Sequence, residues 1–125
     1  MYEVYVAARF EAAHRLVGDF GPATRIHGHT YRIEVIVRGQ RLAQDSTLYD
    51  IGRLKKALDD LAASLHYRDL SEVPGLTHAN TTAEAVADFC WERLAPCLRD
   101  HGLDSLVVRI WESGDAYAAR EDTLN

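Results

Sequence analysis

The first fourteen residues alternate between apolar and polar side chains with a period of two, a pattern typical of a strand that buries one face. One parity is apolar until its last member; it contains Tyr2, Val4, Val6, Ala8, Phe10, Ala12 and His14. The opposite parity carries charged residues such as Glu3 and Arg9. The sequence therefore predicts a long strand from Tyr2 to about Arg15 whose buried face ends in a histidine.

A second alternating run extends from His29 to about Arg38, and His27 stands two residues before it. Side chains two apart in a strand lie on the same face, so His27 and His29 are expected to project side by side. Antiparallel pairing of the two runs would bring His14 next to both histidines. Three imidazoles without a fourth protein ligand favour a zinc site with an open position. The alternative is ordinary strand histidines, with His14 bonded to a backbone group.

Length and composition predict one folded domain over residues 1–125. Apolar residues make up 47% of the chain, enough for a core without disulfides. The net charge is −5 without blocks of like charge, which argues against nucleic acid as a partner. No run approaches the roughly 18 apolar residues of a membrane span, and charged residues interrupt the N-terminus where a signal peptide would be apolar. We therefore expect a cytoplasmic protein with no membrane partner.

Two helices are predicted in the middle of the chain. Asp50 can cap the first, and its apolar stripe consists of Ile51, Leu54, Leu58, Leu61 and Leu65. Thr81 and Glu84 form a candidate capping box for the second, and Pro96 marks its last turn or a kink. The second stripe consists of Val86, Phe89, Cys90, Leu94 and Cys97. Its two cysteines are too far apart on a helix for a disulfide and are predicted to be buried free thiols.

The last quarter of the chain returns to strand patterns. Residues 106–111 alternate as a third strand, the stretch Ser113-Gly114-Asp115 supplies a hairpin turn, and residues 116–120 form a short fourth strand. The polar tail after Glu121 is expected to be frayed. The order ββααββ predicts an α+β domain, a four-stranded antiparallel sheet with two helices on one face. The edges of such a sheet need a partner or a cover.

Short motifs along the chain resemble those of one known family. Phe10-Glu11-Ala12-Ala13-His14 followed by His27-Gly28-His29 resembles the 6-pyruvoyl-tetrahydropterin synthase family, which includes the bacterial 6-carboxytetrahydropterin synthases. Four further stretches match in order and spacing: Leu48-Tyr49-Asp50, residues 70–76, Asn80-Thr81-Thr82-Ala83-Glu84 and Trp111-Glu112-Ser113. Each stretch alone is a weak signal, whereas the ordered set is specific.

The resemblance implies the tunnelling fold, in which subunits join edge to edge into a barrel, and a homohexamer of two stacked trimers. It also implies a Zn2+ cofactor bound by His14, His27 and His29 and a pterin-like substrate. Glu112 matches the family's pterin-anchoring glutamate, and a carboxylate can accept the paired N–H donors of a pterin. Thr81 and Thr82 match the pterin-contacting region. The alternatives are an exposed strand-end glutamate for Glu112 and helix capping for the threonines.

The resemblance fails at the proton-transfer residues. The family's catalytic cysteine lies four residues before His27, and that position is Ala23, whose methyl group cannot take a proton. The family's Asp-His pair aligns with His66 and Tyr67, and Asp69 is nearby. We therefore expect a catalytic acid or base among His66, Tyr67 and Asp69. The alternative for His66 is a surface loop histidine.

These features lead to three functional hypotheses. The first is a zinc-dependent lyase that acts on the side chain of dihydroneopterin triphosphate or a related heterocycle. The second is a diverged enzyme on a different pterin-like or purine-like substrate, with His66, Tyr67 or Asp69 as acid or base. The third is a catalytically silent pterin-binding module. Ala23 favours the second and third hypotheses, whereas the retained histidine triad disfavours the third.

Overall fold

The structure is a computed structural model that describes residues 1–77 and 80–125. Within these ranges the chain forms five strands and two α-helices. The strands are β1 (Tyr2–His14), β2 (His27–Gly39), β3 (Arg68–Asp69), β4 (Ser105–Ser113) and β5 (Ala116–Thr123). The helices are α1 (Ile51–Leu65) and α2 (Ala83–Leu98). No helix in the described part of the chain is long and apolar enough to cross a membrane.

The strands form one sheet in the order β3-β1-β2-β4-β5. β1 and β2 pair antiparallel along their full lengths, which confirms the predicted hairpin. β4 pairs antiparallel with β2 on one side and with β5 on the other. The inward faces of β1, β2 and β4 and the apolar sides of both helices form one hydrophobic core, so the predicted α+β class is confirmed.

The sheet differs from the prediction at three places. It has a fifth strand, because β3 adds two residues in parallel to Ala12 and Ala13 of β1. β2 begins at His27, two residues earlier than expected. The prediction of a frayed tail is wrong, since β5 continues to Thr123 and Leu124 is buried. The backbone N–H of Leu124 donates to the Asp104 carbonyl at 2.9 Å, which holds the C-terminus against the sheet.

The first helix forms as its sequence predicts, except that Ile51, the first residue of the predicted apolar stripe, is exposed. The Asp50 carboxylate accepts hydrogen bonds from the backbone N–H groups of Gly52 at 2.8 Å and Arg53 at 3.4 Å, so Asp50 is the N-cap. Leu54, Leu58 and Leu65 are fully buried on one side of α1. The outer side carries the exposed i,i+4 ion pairs of two lysines, which add a few tenths of a kcal/mol each.

The second helix corrects two predictions. Its N-cap is Thr82 and not Thr81, because the Thr82 hydroxyl accepts the hydrogen bond from the Ala85 N–H at 3.2 Å. Cys90 is buried, and burial raises the pKa of its thiol to about 12. Cys97 is exposed, so the prediction that both thiols are buried is wrong for this residue. Cys97 faces away from the core, whereas Leu98, the next residue of α2, is fully buried.

The outer edge of β1 is partly occupied by groups from α1 and the segment after it. The Lys55 ammonium donates to the Ala7 carbonyl at 2.7 Å. The Glu11 N–H donates to His66 Nδ1 at 3.0 Å, and the Glu11 carbonyl accepts from the Tyr67 N–H at 2.6 Å. In the described part of the chain, no strand pairs with the N-terminal part of this edge or with the outer edge of β5.

Candidate metal centre

The β1–β2 register brings three histidines together at one end of the sheet. His14 is the direct cross-strand partner of His27, and His29 lies diagonally, opposite Ala12. The ring centroids are 4.5–5.0 Å apart, and one ring nitrogen from each residue lies within 4.8 Å of the others. The Nε2 atoms of His14 and His29 are 3.1 Å apart. Two nitrogens bound tetrahedrally to one zinc ion would be about 3.3 Å apart, so the donor set fits a single ion.

Backbone carbonyls fix the orientation and the tautomer of two of these rings. His14 Nδ1 lies 2.6 Å from the Thr81 carbonyl oxygen, and His27 Nδ1 lies 2.7 Å from the Arg25 carbonyl oxygen. A carbonyl oxygen can only accept, so each Nδ1 carries a hydrogen, and the tautomer that this selects for a neutral ring has its lone pair on Nε2. This second layer of contacts is the arrangement that prepares neutral histidines to bind a metal.

The surroundings of the third ring, His29, favour its neutral form. Burial lowers the pKa of His29 below its ordinary value, and the neighbouring His14 and His27 act in the same direction. The Glu112 carboxylate opposes this shift without reversing it. A neutral imidazole is the form that coordinates a metal ion, so the electrostatics of the cluster agree with its geometry.

Glu112 lies beside the histidine cluster at the end of β4. One carboxylate oxygen is 4.0 Å from His14 Nε2, and the other is 4.0 Å from His29 Nε2. These distances exceed those of hydrogen bonds, so both oxygens remain free to accept. Glu112 also borders a groove of about 280 Å³ at the start of α2. Its lining residues are Ala83, Glu84, Glu112, Ala116, Tyr117 and Ala118.

Tyr31 is a neighbour of the histidine cluster that the sequence patterns did not single out. It lies on the same face of β2 as His29, stacks on Phe10 at 4.9 Å and presents its ring at steep angles to His14 and His29. The residue is fully buried, and its hydroxyl has no hydrogen-bond partner among the described residues. Burial, with a smaller contribution from Glu112, raises the pKa of Tyr31. The available signal was a tyrosine two positions after His29 on an inward face.

Thr81 and its neighbours organise the loop that precedes β2. The backbone carbonyl of Thr81 contacts His14 of the cluster. The Thr81 hydroxyl makes only a long contact of 3.5 Å with the Arg15 carbonyl. The Asn80 side chain accepts from the Val17 N–H at 2.9 Å and donates to the Val17 carbonyl at 3.0 Å. Ala23 lies in a short 3-10 turn of this loop, and its carbonyl accepts from the Leu16 N–H at 2.8 Å.

The three predicted acid–base residues occupy different places. Tyr67 and Asp69 border a groove of about 500 Å³ that His29 also borders. Tyr67 is 78% exposed, with a positive φ of 59°, and Asp69 accepts from the Ser71 backbone and hydroxyl. His66 borders a separate groove beside α1, and its Nδ1 is occupied by the Glu11 N–H. One copy of the chain therefore does not bring His66 to the cluster.

The sheet order and the placement of the helices define a class of protein, the tunnelling fold. The chain belongs to the 6-pyruvoyl tetrahydropterin synthase family, whose family model matches residues 3–122. It is 33% identical to the 6-carboxy-5,6,7,8-tetrahydropterin synthase of Synechocystis sp., covering 75% of each chain. It is 31% identical to the dihydroneopterin monophosphate aldolase of Pyrococcus furiosus, covering 70% of this chain and 69% of the relative.

Solved structures agree on the fold. The structure of Caenorhabditis elegans 6-pyruvoyl tetrahydropterin synthase superposes with a TM-score of 0.82. The match covers 97% of this chain and 95% of the other at 24% sequence identity. At this identity the superposition establishes a shared fold, and the function has to be argued from the residues of the site.

Proposed function

We propose that the protein is a zinc-dependent lyase that acts on the side chain of a pterin, with dihydroneopterin triphosphate or a related heterocycle as its substrate. The observation that carries this proposal is the three-histidine cluster with the Glu112 carboxylate 4.0 Å from two of its nitrogens. Membership of the pterin synthase family supports the substrate class.

In this proposal His14, His27 and His29 hold the zinc ion, which supplies a Lewis acid for the oxygens of the substrate side chain. Glu112 accepts the N–H donors of the heterocycle, and its two free oxygens suit that paired geometry. Thr81 is buried and holds His14 through its backbone carbonyl, and Thr82 caps α2, whose first residues border the groove beside Glu112.

Proton transfer is assigned to Tyr67 and Asp69 ahead of His66, because the first two share a groove with His29. Ala23 supports a second candidate, a diverged enzyme on another pterin-like or purine-like substrate that uses these same residues. Similarity to an aldolase of dihydroneopterin monophosphate is consistent with a different bond cleavage in the side chain. A catalytically silent pterin-binding module is the remaining alternative.

We expect one zinc ion per chain, and replacing a ligand should abolish its binding. His27→Ala leaves two imidazoles, too few to hold the ion tightly. The matched control is His101→Ala, because His101 is exposed and packs on Tyr49 away from the cluster. Metal analysis after dialysis should give about one zinc per chain for the natural protein and the control. A full equivalent of zinc in His27→Ala would remove this residue from the site.

We expect Glu112 to govern binding of the heterocycle and not of the metal. Glu112→Gln keeps the shape but replaces an acceptor oxygen with an NH2 donor, so a pterin should bind about 2 kcal/mol more weakly with zinc content unchanged. Calorimetry measures the difference, and Glu84→Gln is the control on the same groove. Equal pterin affinities for the natural protein and Glu112→Gln would exclude the anchoring role.

We expect Ala23 to limit the family-type reaction. A general acid or base contributes roughly 10²–10⁴-fold, so the natural chain should turn over dihydroneopterin triphosphate slower than a cysteine-containing relative by at least that order. Ala23→Cys should recover part of the rate, Ala23→Ser should not, and Ala23→Cys with Tyr67→His should exceed either single change. If the natural chain already matches the relative at saturating zinc, the missing thiol is not a defect, and Tyr67 and Asp69 become the next residues to replace.

We also propose a homo-oligomer, most simply a hexamer, built by pairing the free edges of β1 and β5 between copies. In the described part of the chain, no strand pairs with the outer edge of β5 or with the N-terminal part of the outer edge of β1, and unpaired edges of this kind are the groups through which copies can join. Light scattering at micromolar concentration should give a multiple of the 14.0 kDa chain mass. A monomer under these conditions would contradict the proposal.

A further inference from the structure

The Tyr31 hydroxyl is a buried polar group that the protein leaves without a partner. Its ring stacks on Phe10 and lies at steep angles to the rings of His14 and His29, at centroid distances of 5.9 Å and 5.3 Å for the two histidines. The whole residue is 0% exposed, and its oxygen meets no hydrogen-bonding group among the described residues. A phenylalanine would fill the same space without an unsatisfied group, so the oxygen needs an explanation.

The position of Tyr31 points to the ligand site. Arg32 pairs with Trp111 across β2 and β4, which sets the preceding residue, Tyr31, beside Glu112. The hydroxyl-bearing ring is therefore bordered by the two groups of the proposed site, the histidine cluster and the carboxylate. No hydrogen bond in the described ranges uses the Tyr31 hydroxyl oxygen. The nearby His14 Nδ1 is already bonded to the Thr81 carbonyl.

The chemistry of the surrounding side chains gives Tyr31 a distinct role. Glu112 offers only acceptor oxygens, and the inward nitrogens of His14 and His29 offer lone pairs. A ligand that carries hydroxyl or carbonyl oxygens also needs a donor, and a neutral phenol supplies one. Among these four neighbouring side chains, Tyr31 is the one with an O–H left to donate.

We propose that Tyr31 is a ligand-binding residue whose hydroxyl donates a hydrogen bond to a side-chain oxygen of the ligand at the histidine cluster. The proposal rests on the proposed function for the ligand class, an oxygen-bearing 6-substituted pterin, and adds the group that recognises the substituent. In this arrangement Glu112 binds the ring of the heterocycle, and Tyr31 binds the oxygen on the side chain of the heterocycle. The oxygen of Tyr31 therefore serves binding at the expense of the stability of the free protein.

The test compares Tyr31→Phe with the natural protein using two probes, neopterin and pterin, which differ by the hydroxylated side chain. With zinc bound, Tyr31→Phe should bind neopterin about tenfold more weakly, the scale of one lost hydrogen bond, and pterin equally well. Zinc content should not change. Tyr49→Phe is the matched control, because Tyr49 is buried and packs on His101 outside the site.

Thermal unfolding without pterin provides a second measurement that does not depend on binding. The melting temperature of Tyr31→Phe should equal that of the natural protein or exceed it by up to about 4 °C, because the variant removes an unsatisfied group. A lower melting temperature would overturn the inference by revealing a structural partner such as a fixed water. An unchanged neopterin-to-pterin affinity ratio would overturn it while leaving the proposed function intact. Failure of the natural protein to bind either probe would overturn both.

Discussion

The antiparallel register of β1 and β2 is the constraint on which both the core and the site depend. It pairs Phe10 with Tyr31 and His14 with His27 on one face of the sheet. A slip of one residue would turn the inward side chains of one strand to the opposite face. Each large apolar side chain that would then be exposed contributes roughly 1.5–3 kcal/mol when buried. The strand register that buries the hydrophobic core therefore also brings the three histidines together.

Period-two and helical patterns predicted the main strands, both helices and the face on which they meet. The misses have local causes. β3 is two residues long, too short for any periodicity, and it exists because the chain after α1 reaches Ala12 and Ala13. Thr81 and Thr82 are adjacent and chemically equal, so sequence could not assign the cap between them. Burial of Leu124 depends on a contact with Asp104, twenty residues earlier in the chain.

For the site, residue type and spacing predicted the histidine cluster, but not the groups behind it. The Arg25 and Thr81 carbonyls that orient His27 and His14 are backbone atoms, which any residue could provide. The signal for Tyr31 was a tyrosine on an inward face, and this does not distinguish a residue of the site from a residue of the core. Sequence spacing placed His66 near the family's acid–base position. Spacing does not predict where a side chain points, and in the structure the Glu11 N–H donates to the His66 ring on the side of α1.

The contacts of Lys55, His66 and Tyr67 with β1 have a consequence for growth of the sheet. They use backbone groups of Ala7 and Glu11 that an incoming strand would need. A strand from another copy can therefore add only toward the N-terminal end of β1, in a limited set of alignments. Occupied backbone groups limit the pairing of this edge with strands of other chains, which is the route by which an exposed edge leads to aggregation. Lys55 and His66 thus occupy backbone groups of the β1 edge in the way that natural sheets limit edge-to-edge pairing.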